Sequence, residues 1–229
     1  MISLKNCFKS ITRPVFYKTS DGQERAVVQV DGGVKLSYLA KFVARYGLTG
    51  IEKFVGIPGS VGGSVAMNAG AEGAEISQVL RSIKFMTLDG EIRTYSKSEM
   101  VFAYRKTTFP SKDGIVIEAE LDLEKGKISD IHQEMDKHLS RRGSTQPLTM
   151  PNSGSIFKNP DGEKAGRLIE SAGLKGCRIG GASVSIKHAN FIVNKGGASA
   201  EDVIRLIKHI QAVVEEKTSV KLEQEIIVI

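Results

Sequence analysis

Residues 54–73 read FVGIPGSVGGSVAMNAGAEG, with glycine at 56, 59, 62, 63, 70 and 73 and a single charged side chain, Glu72. Glycine loses more backbone freedom on folding than any other residue, so a run this rich needs a physical reason. Three reasons are available: a turn that needs positive φ, two backbones in close approach, or amide groups bared to an anion such as a pyrophosphate. No Lys-Ser/Thr pair follows the glycines as in a Walker loop. The spacing is also not the GxGxxG that opens a Rossmann helix after a strand. The residues alone leave a structural glycine turn and a phosphate cradle both open.

The rest of the chain narrows the setting. Its 229 residues, 41% hydrophobic and 25% charged, suit a folded protein of one large or two smaller domains. A net charge of +6 and a pI of about 9.2 favour an anionic partner. The cations are scattered, however, aromatics are few and Trp is absent, which argues against nucleic acid. A small phosphorylated ligand needs fewer charges. Cys7 and Cys177 have no disulfide-framework or zinc spacing, and the four histidines form no ligand pattern with carboxylates, so no metal is expected. Neither a membrane span nor a signal peptide is legible, which implies a soluble cytoplasmic protein with no membrane partner.

Periodicity orders the elements. VVQVDGG (27–33) reads as a strand ending in a glycine turn. The stretch 37–46 reads as a helix stopped by Gly47. A hairpin is expected over 82–96 around Asp89-Gly90, and a half-exposed strand over 115–126. A solvated helix over 127–144 carries the apolar stripe Ile128, Ile131, Met135 and Leu139. TQPLTMPNSGS (145–155) breaks periodicity and marks a crossing into a second region. There a short helix stops at Gly173, the strands ASVSI and NFIVN follow, and the clearest helix runs from Ser199 to Lys217, with Ser199 as N-cap. VKLEQEIIVI closes as a strand. Strands and helices mixed without strict βαβ alternation argue for an α+β fold.

GIPGSVGGSVAMNAGAEG closely resembles the flavin-contacting loop of the UDP-N-acetylenolpyruvoylglucosamine reductases, also called UDP-N-acetylmuramate dehydrogenases. FAYRKTTF (102–109), PNSGSIFKNP (151–160), AGRLIESAGLKGCRIGGASVSIKHANFIVN and LEQE resemble further signatures of that family, in family order. The resemblance implies an FAD-dependent oxidoreductase of peptidoglycan precursor synthesis, using NADPH as hydride donor and a UDP-sugar enolpyruvyl ether as substrate. It implies flavin contacts from Gly56, Ile57, Pro58, Gly59, Ser60, Val61, Gly62, Gly63, Asn68, Ala69 and Gly70. Ser155 matches the general acid, Arg105 the arginine on the substrate carboxylate and developing enolate, and Glu225 the assisting carboxylate. Tyr104, Gln146, Lys158 and Asn159 match substrate contacts, and Arg141 and Arg142 stand near where a UDP diphosphate would bind. His188 reads as structural.

Family members begin with a further region carrying a Gly-Gly-Gly-Ser-Asn type loop, which this sequence lacks. The resemblance therefore implies part of an FAD-binding domain over 1–140, rejoined by 221–229, and a substrate-binding domain over 141–220. It also raises a separate N-terminal fragment as a partner, and, as the alternative, a chain that binds the UDP-sugar without redox chemistry. Glu72 stands where relatives often carry Tyr, so a carboxylate is expected beside the flavin.

Overall fold

The computed structural model describes residues 4, 6–111 and 113–228. The chain forms two compact units, with the boundary after Ser140.

In the first unit, β1 (Val15–Lys18) and β2 (Glu24–Asp31) precede α1 (Leu36–Ala44), and β3 is the short Leu48–Thr49. α2 (Val61–Ala66), β4 (Gly70–Ala71) and β5 (Ala74–Glu75) follow. Then come β6 (Leu80–Thr87), β7 (Ile92–Ser96), β8 (Val101–Ala103), β9 (Lys106–Thr108), the long β10 (Gly114–Lys125) and α3 (Ile128–Thr145). The main sheet has the order β1-β2-β10-β6-β7, all antiparallel, with β3 against the end of β10. β4–β5 and β8–β9 are separate hairpins.

Alternation explains the sheet. In β2, Ala26, Val28 and Val30 are buried while Gln29 is exposed, as one packed face requires. In β10 the buried set is Val116, Ile117, Ala119, Leu121 and Leu123. Its phase changes because the register with β6 shifts between Val116 and Glu118. The extra residue of this bulge, Ile117, is also buried, so two successive positions are covered. On the other face the acidic positions of β10 find cross-strand cations: Arg25 meets Asp122 at 3.0 Å and Glu124 at 2.7 Å, Arg81 meets Glu120 at 3.1 Å, and Lys84 meets Glu118 at 3.0 Å.

The inward face of α3 differs from the expected stripe. Ile131 and Met135 are buried as read, but the third inward residue is His138; Ile128 and Leu139 are exposed. Burial of His138 is possible because both ring nitrogens meet carboxylates: Nε2 lies 2.9 Å from Glu134 and Nδ1 3.4 Å from Glu72.

The second unit contains β11 (Asn152–Ser155), α4 (Ala165–Ser171), β12 (Arg178–Ile179), β13 (Ala182–Val184), β14 (Phe191–Asn194) and α5 (Ala200–Thr218). Its antiparallel sheet has the order β11-β14-β13-β12. Leu206, Ile207, Ile210 and Val214 of α5 pack with Ile169 of α4 and Val184 of β13 in one core. Ser199 caps α5 by accepting from the Asp202 amide, and the Asp202 carboxylate accepts from the Ser199 amide.

One expectation for the C-terminal stretch is corrected. Among the described residues it forms no regular strand, only the bridge Phe157↔Gln224. Leu222 is buried in the second unit's core, and the Lys158 and Glu225 amides tie the stretch to the chain after β11.

Candidate active site: the glycine-rich segment and the residues after β11

The glycines of the opening segment divide by job. Gly59 has φ +132° and open space where a Cβ would stand. It supplies a turn that a side chain would strain, with a backbone surface that a ligand could approach. Gly62 is there for close approach: a Cβ would sit 2.7 Å from the Val116 carbonyl at the β10 bulge and 3.1 Å from the Gly32 carbonyl. Its amide donates to Gly32 O at 2.8 Å. Gly70 is a second close approach, with a Cβ 2.6 Å from Ala74 O and 3.4 Å from Nη1 of Arg105. Gly73, at φ +81°, completes with Glu72 the β4–β5 turn.

Fewer amides are bared than the glycine count suggests. Val61 donates to Val34 O, Gly63 to Ser60 Oγ and Ser64 to Ser60 O, so the amides at the start of α2 are satisfied within the protein. Pro58, Gly59, Ser60, Gly62 and Gly63 nevertheless line a cavity of about 1290 Å³, together with Gly33, Val34, Lys35, Tyr38 and the β10 residues Gly114–Val116. That volume accommodates a ligand larger than drug size. Two residues of the expected flavin set, Val61 and Asn68, are buried: Val61 packs in the core and the Asn68 amide makes internal hydrogen bonds. Gly56, Ile57, Ala69 and Gly70 do not line the cavity. The Glu72 carboxylate faces His138.

Arg105 and Tyr104 form the two-residue turn of the β8–β9 hairpin. Arg105 has a left-handed backbone, φ 57°, and its guanidinium lies 5.0 Å over the Tyr104 ring. The hairpin is tied to the glycine-rich segment by Thr107 Oγ1, which donates to Val65 O at 2.5 Å.

In the second unit Ser155 ends β11, half-buried. The Glu225 amide donates to Ile156 O at 2.8 Å, and the Lys158 amide to Glu223 O at 2.8 Å. The segment carrying Glu225 is thereby held beside the residue after Ser155. Lys158, expected on the substrate, has its ammonium 2.5 Å from Glu223 Oε1. Asn159 accepts from the Ala165 amide at the start of α4. Arg142 Nε and Gln146 Oε1 are buried with no hydrogen-bond partner among the described residues, four positions apart at the end of α3. Burial pushes the Arg142 guanidinium below its ordinary range. Sequence reading named both Gln146 and Arg142, but not their buried, unbonded atoms, because only burial marks those. His188 lies edge-on to Phe191 and its Nδ1 accepts from the Asn190 amide. No group of three or more His, Cys, Asp or Glu that could hold a metal occurs among the described residues. No helix among them is long and apolar enough to cross a membrane.

Comparison with known proteins decides what this arrangement belongs to. Residues 17–96 match the family model of an FAD binding domain, and residues 146–229 match that of the UDP-N-acetylenolpyruvoylglucosamine reductase C-terminal domain. The UDP-N-acetylenolpyruvoylglucosamine reductase of Bacillus licheniformis is 47% identical over 210 residues, which cover 91% of this chain and 68% of that protein. The chain belongs to the UDP-N-acetylenolpyruvoylglucosamine reductase family. The relative from Halalkalibacterium halodurans is 45% identical over 199 residues, 87% of this chain and 66% of that protein. A crystal structure of the Thermus caldophilus UDP-N-acetylenolpyruvylglucosamine reductase superposes with a TM-score of 0.77 at 40% identity, covering 86% of this chain and 70% of that one. The chain thus spans about two thirds of the length of the curated relatives it matches, 66% and 65% for two of them. The α+β fold is that of an FAD-binding domain joined to this family's C-terminal domain.

Proposed function

We propose that the chain takes part in the NADPH-dependent reduction of UDP-N-acetylglucosamine enolpyruvate to UDP-N-acetylmuramate, a cytoplasmic step of peptidoglycan precursor synthesis. The observation that carries the reading is the pairing after β11, where main-chain bonds hold the segment bearing Glu225 beside Ser155. A proton donor and a carboxylate far apart in sequence are what the reaction's polar half needs together.

The cavity residues fit FAD: Gly59 and Ser60 offer backbone without side-chain obstruction, and Lys35 adds positive charge for a pyrophosphate. When bound, FAD supplies the hydride that NADPH provides. The remaining work falls to the protein. Arg105 takes the substrate carboxylate through its planar fork and stabilises the enolate charge that spreads onto it. Ser155 gives its hydroxyl proton to C2 of the enolpyruvyl group, and Glu225 assists the stabilisation of the intermediate. Arg142 Nε, buried with no hydrogen-bond partner among the described residues, supports a role for this turn in binding the UDP diphosphate.

The test begins with a visible spectrum of the purified chain after incubation with FAD and desalting. A retained, shifted flavin band is expected; a colourless protein overturns the FAD reading. In the flavin-loaded protein, Ser155→Ala should lower NADPH-dependent turnover of the enolpyruvyl substrate by about 10²–10⁴-fold, the usual worth of a general acid. Unchanged turnover removes Ser155 from the chemistry.

A further inference from the structure

Asn68 is fully buried in left-handed backbone, φ 41°. Its amide nitrogen donates to Glu75 Oε2 at 2.8 Å and to the Ala103 carbonyl at 3.1 Å, and its oxygen accepts from the Ser77 amide at 3.4 Å. Both donors and one acceptor site are therefore spent, which fixes the side chain's orientation. The Glu75 carboxylate is itself held, because it also accepts at the capping box of the turn 76–78.

We propose that Asn68 is the positioning residue for Arg105. Ala103 closes the β8–β9 turn opposite Lys106, directly before Tyr104 and Arg105. The hydrogen bond from Asn68 thus fixes the strand end from which Arg105 departs. On the far side of the same turn Thr107 is anchored to Val65. Between these two anchors the guanidinium is delivered over Gly70, where Nη1 and Glu75 Cγ both approach the place a Cβ would take, at 3.4 Å and 3.2 Å. One buried amide therefore joins the two hairpins and holds the turn that presents the arginine. Asn is the residue this demands: Asp would set a carboxylate against two acceptors, and Leu would leave Ala103 O and Glu75 unsatisfied. The inference rests on Arg105 as the carboxylate-binding group.

The experiment compares Asn68→Ala, Arg105→Ala and the double variant of the full chain. Hydrogen exchange should rise at least tenfold at the amides of 101–108 in Asn68→Ala, with β2 and β10 unchanged. Calorimetric affinity for UDP-N-acetylglucosamine enolpyruvate should fall about tenfold on Asn68→Ala beside Arg105, and should not fall further in the Arg105→Ala background. Hairpin exchange that does not change overturns the proposal, and so does an equal loss of affinity in both backgrounds, which marks a general structural role. If the unsubstituted chain binds no substrate, the functional reading fails while the exchange comparison still decides the positioning role. Should Asn68→Ala not fold, Asn68→Ser, which keeps one donor, carries the same comparisons.

Discussion

Arg105 occupies a backbone conformation that glycine would adopt without cost, and of the two turn residues it alone has positive φ. For a side chain this large the left-handed region costs about 1–2 kcal/mol. A large side chain held in this conformation is a strained feature that points to function. Arg105→Gly should leave thermal stability unchanged or raise it by up to about 1 kcal/mol, since relief of strain offsets the greater freedom of the unfolded chain. The same variant should lose about 10²-fold or more in turnover of the enolpyruvyl substrate. A loss of both together would show that Arg105 holds the turn. At this scale the sequence was legible only by resemblance. FAYRKTTF carries no turn signature, since neither Tyr nor Arg favours the conformation the corner needs. The role of Asn68 was beyond reach, because its partner is a backbone carbonyl 35 residues away.

Among the elements, α5 was read almost completely. Its cap, its acidic first turn and its apolar stripe are all local in sequence, and Val203 and Val213 lie at the edge of the core as the stripe implies. Ser199→Ala should destabilise the second unit by about 1 kcal/mol in urea unfolding, while Ser199→Asp or Ser199→Asn should be near neutral. A null effect of alanine would mean that Asp202, which also accepts from the Gly181 amide, does the capping alone. α3 was read correctly in extent and wrongly in face. Hydrophobicity placed Leu139 inside, whereas His138 is inside because Glu72, from a hairpin far away in sequence, reaches its ring. The closing stretch, read as a strand, pairs at a single bridge, because alternation recognises a strand but not its partner.

For the whole molecule, fold class followed from the order of elements. pH dependence also belongs here. Burial lowers the His188 pKa, the positive charge of Lys175 adds to this, and Glu170 opposes it. A backbone amide donating to Nδ1 suits the neutral ring. As pH falls below about 6.5, the unfolded chain takes up a proton that the folded chain resists. Stability from this site is therefore full above that pH and declines below it. Urea midpoints measured from pH 7.5 to 5 should fall less steeply in His188→Gln than in the unsubstituted chain. Parallel slopes would assign the decline to other groups.

The central strand of the first sheet is also its last strand in chain order. β2 must wait for β10, whose Asp122 meets an arginine 97 residues earlier. At a synthesis rate of roughly 5–20 residues per second, that edge stays open on the ribosome for about 5–20 s. The nascent β1–β2 hairpin is therefore a natural client for a chaperone, and translation speed across 32–125 decides how long it needs one.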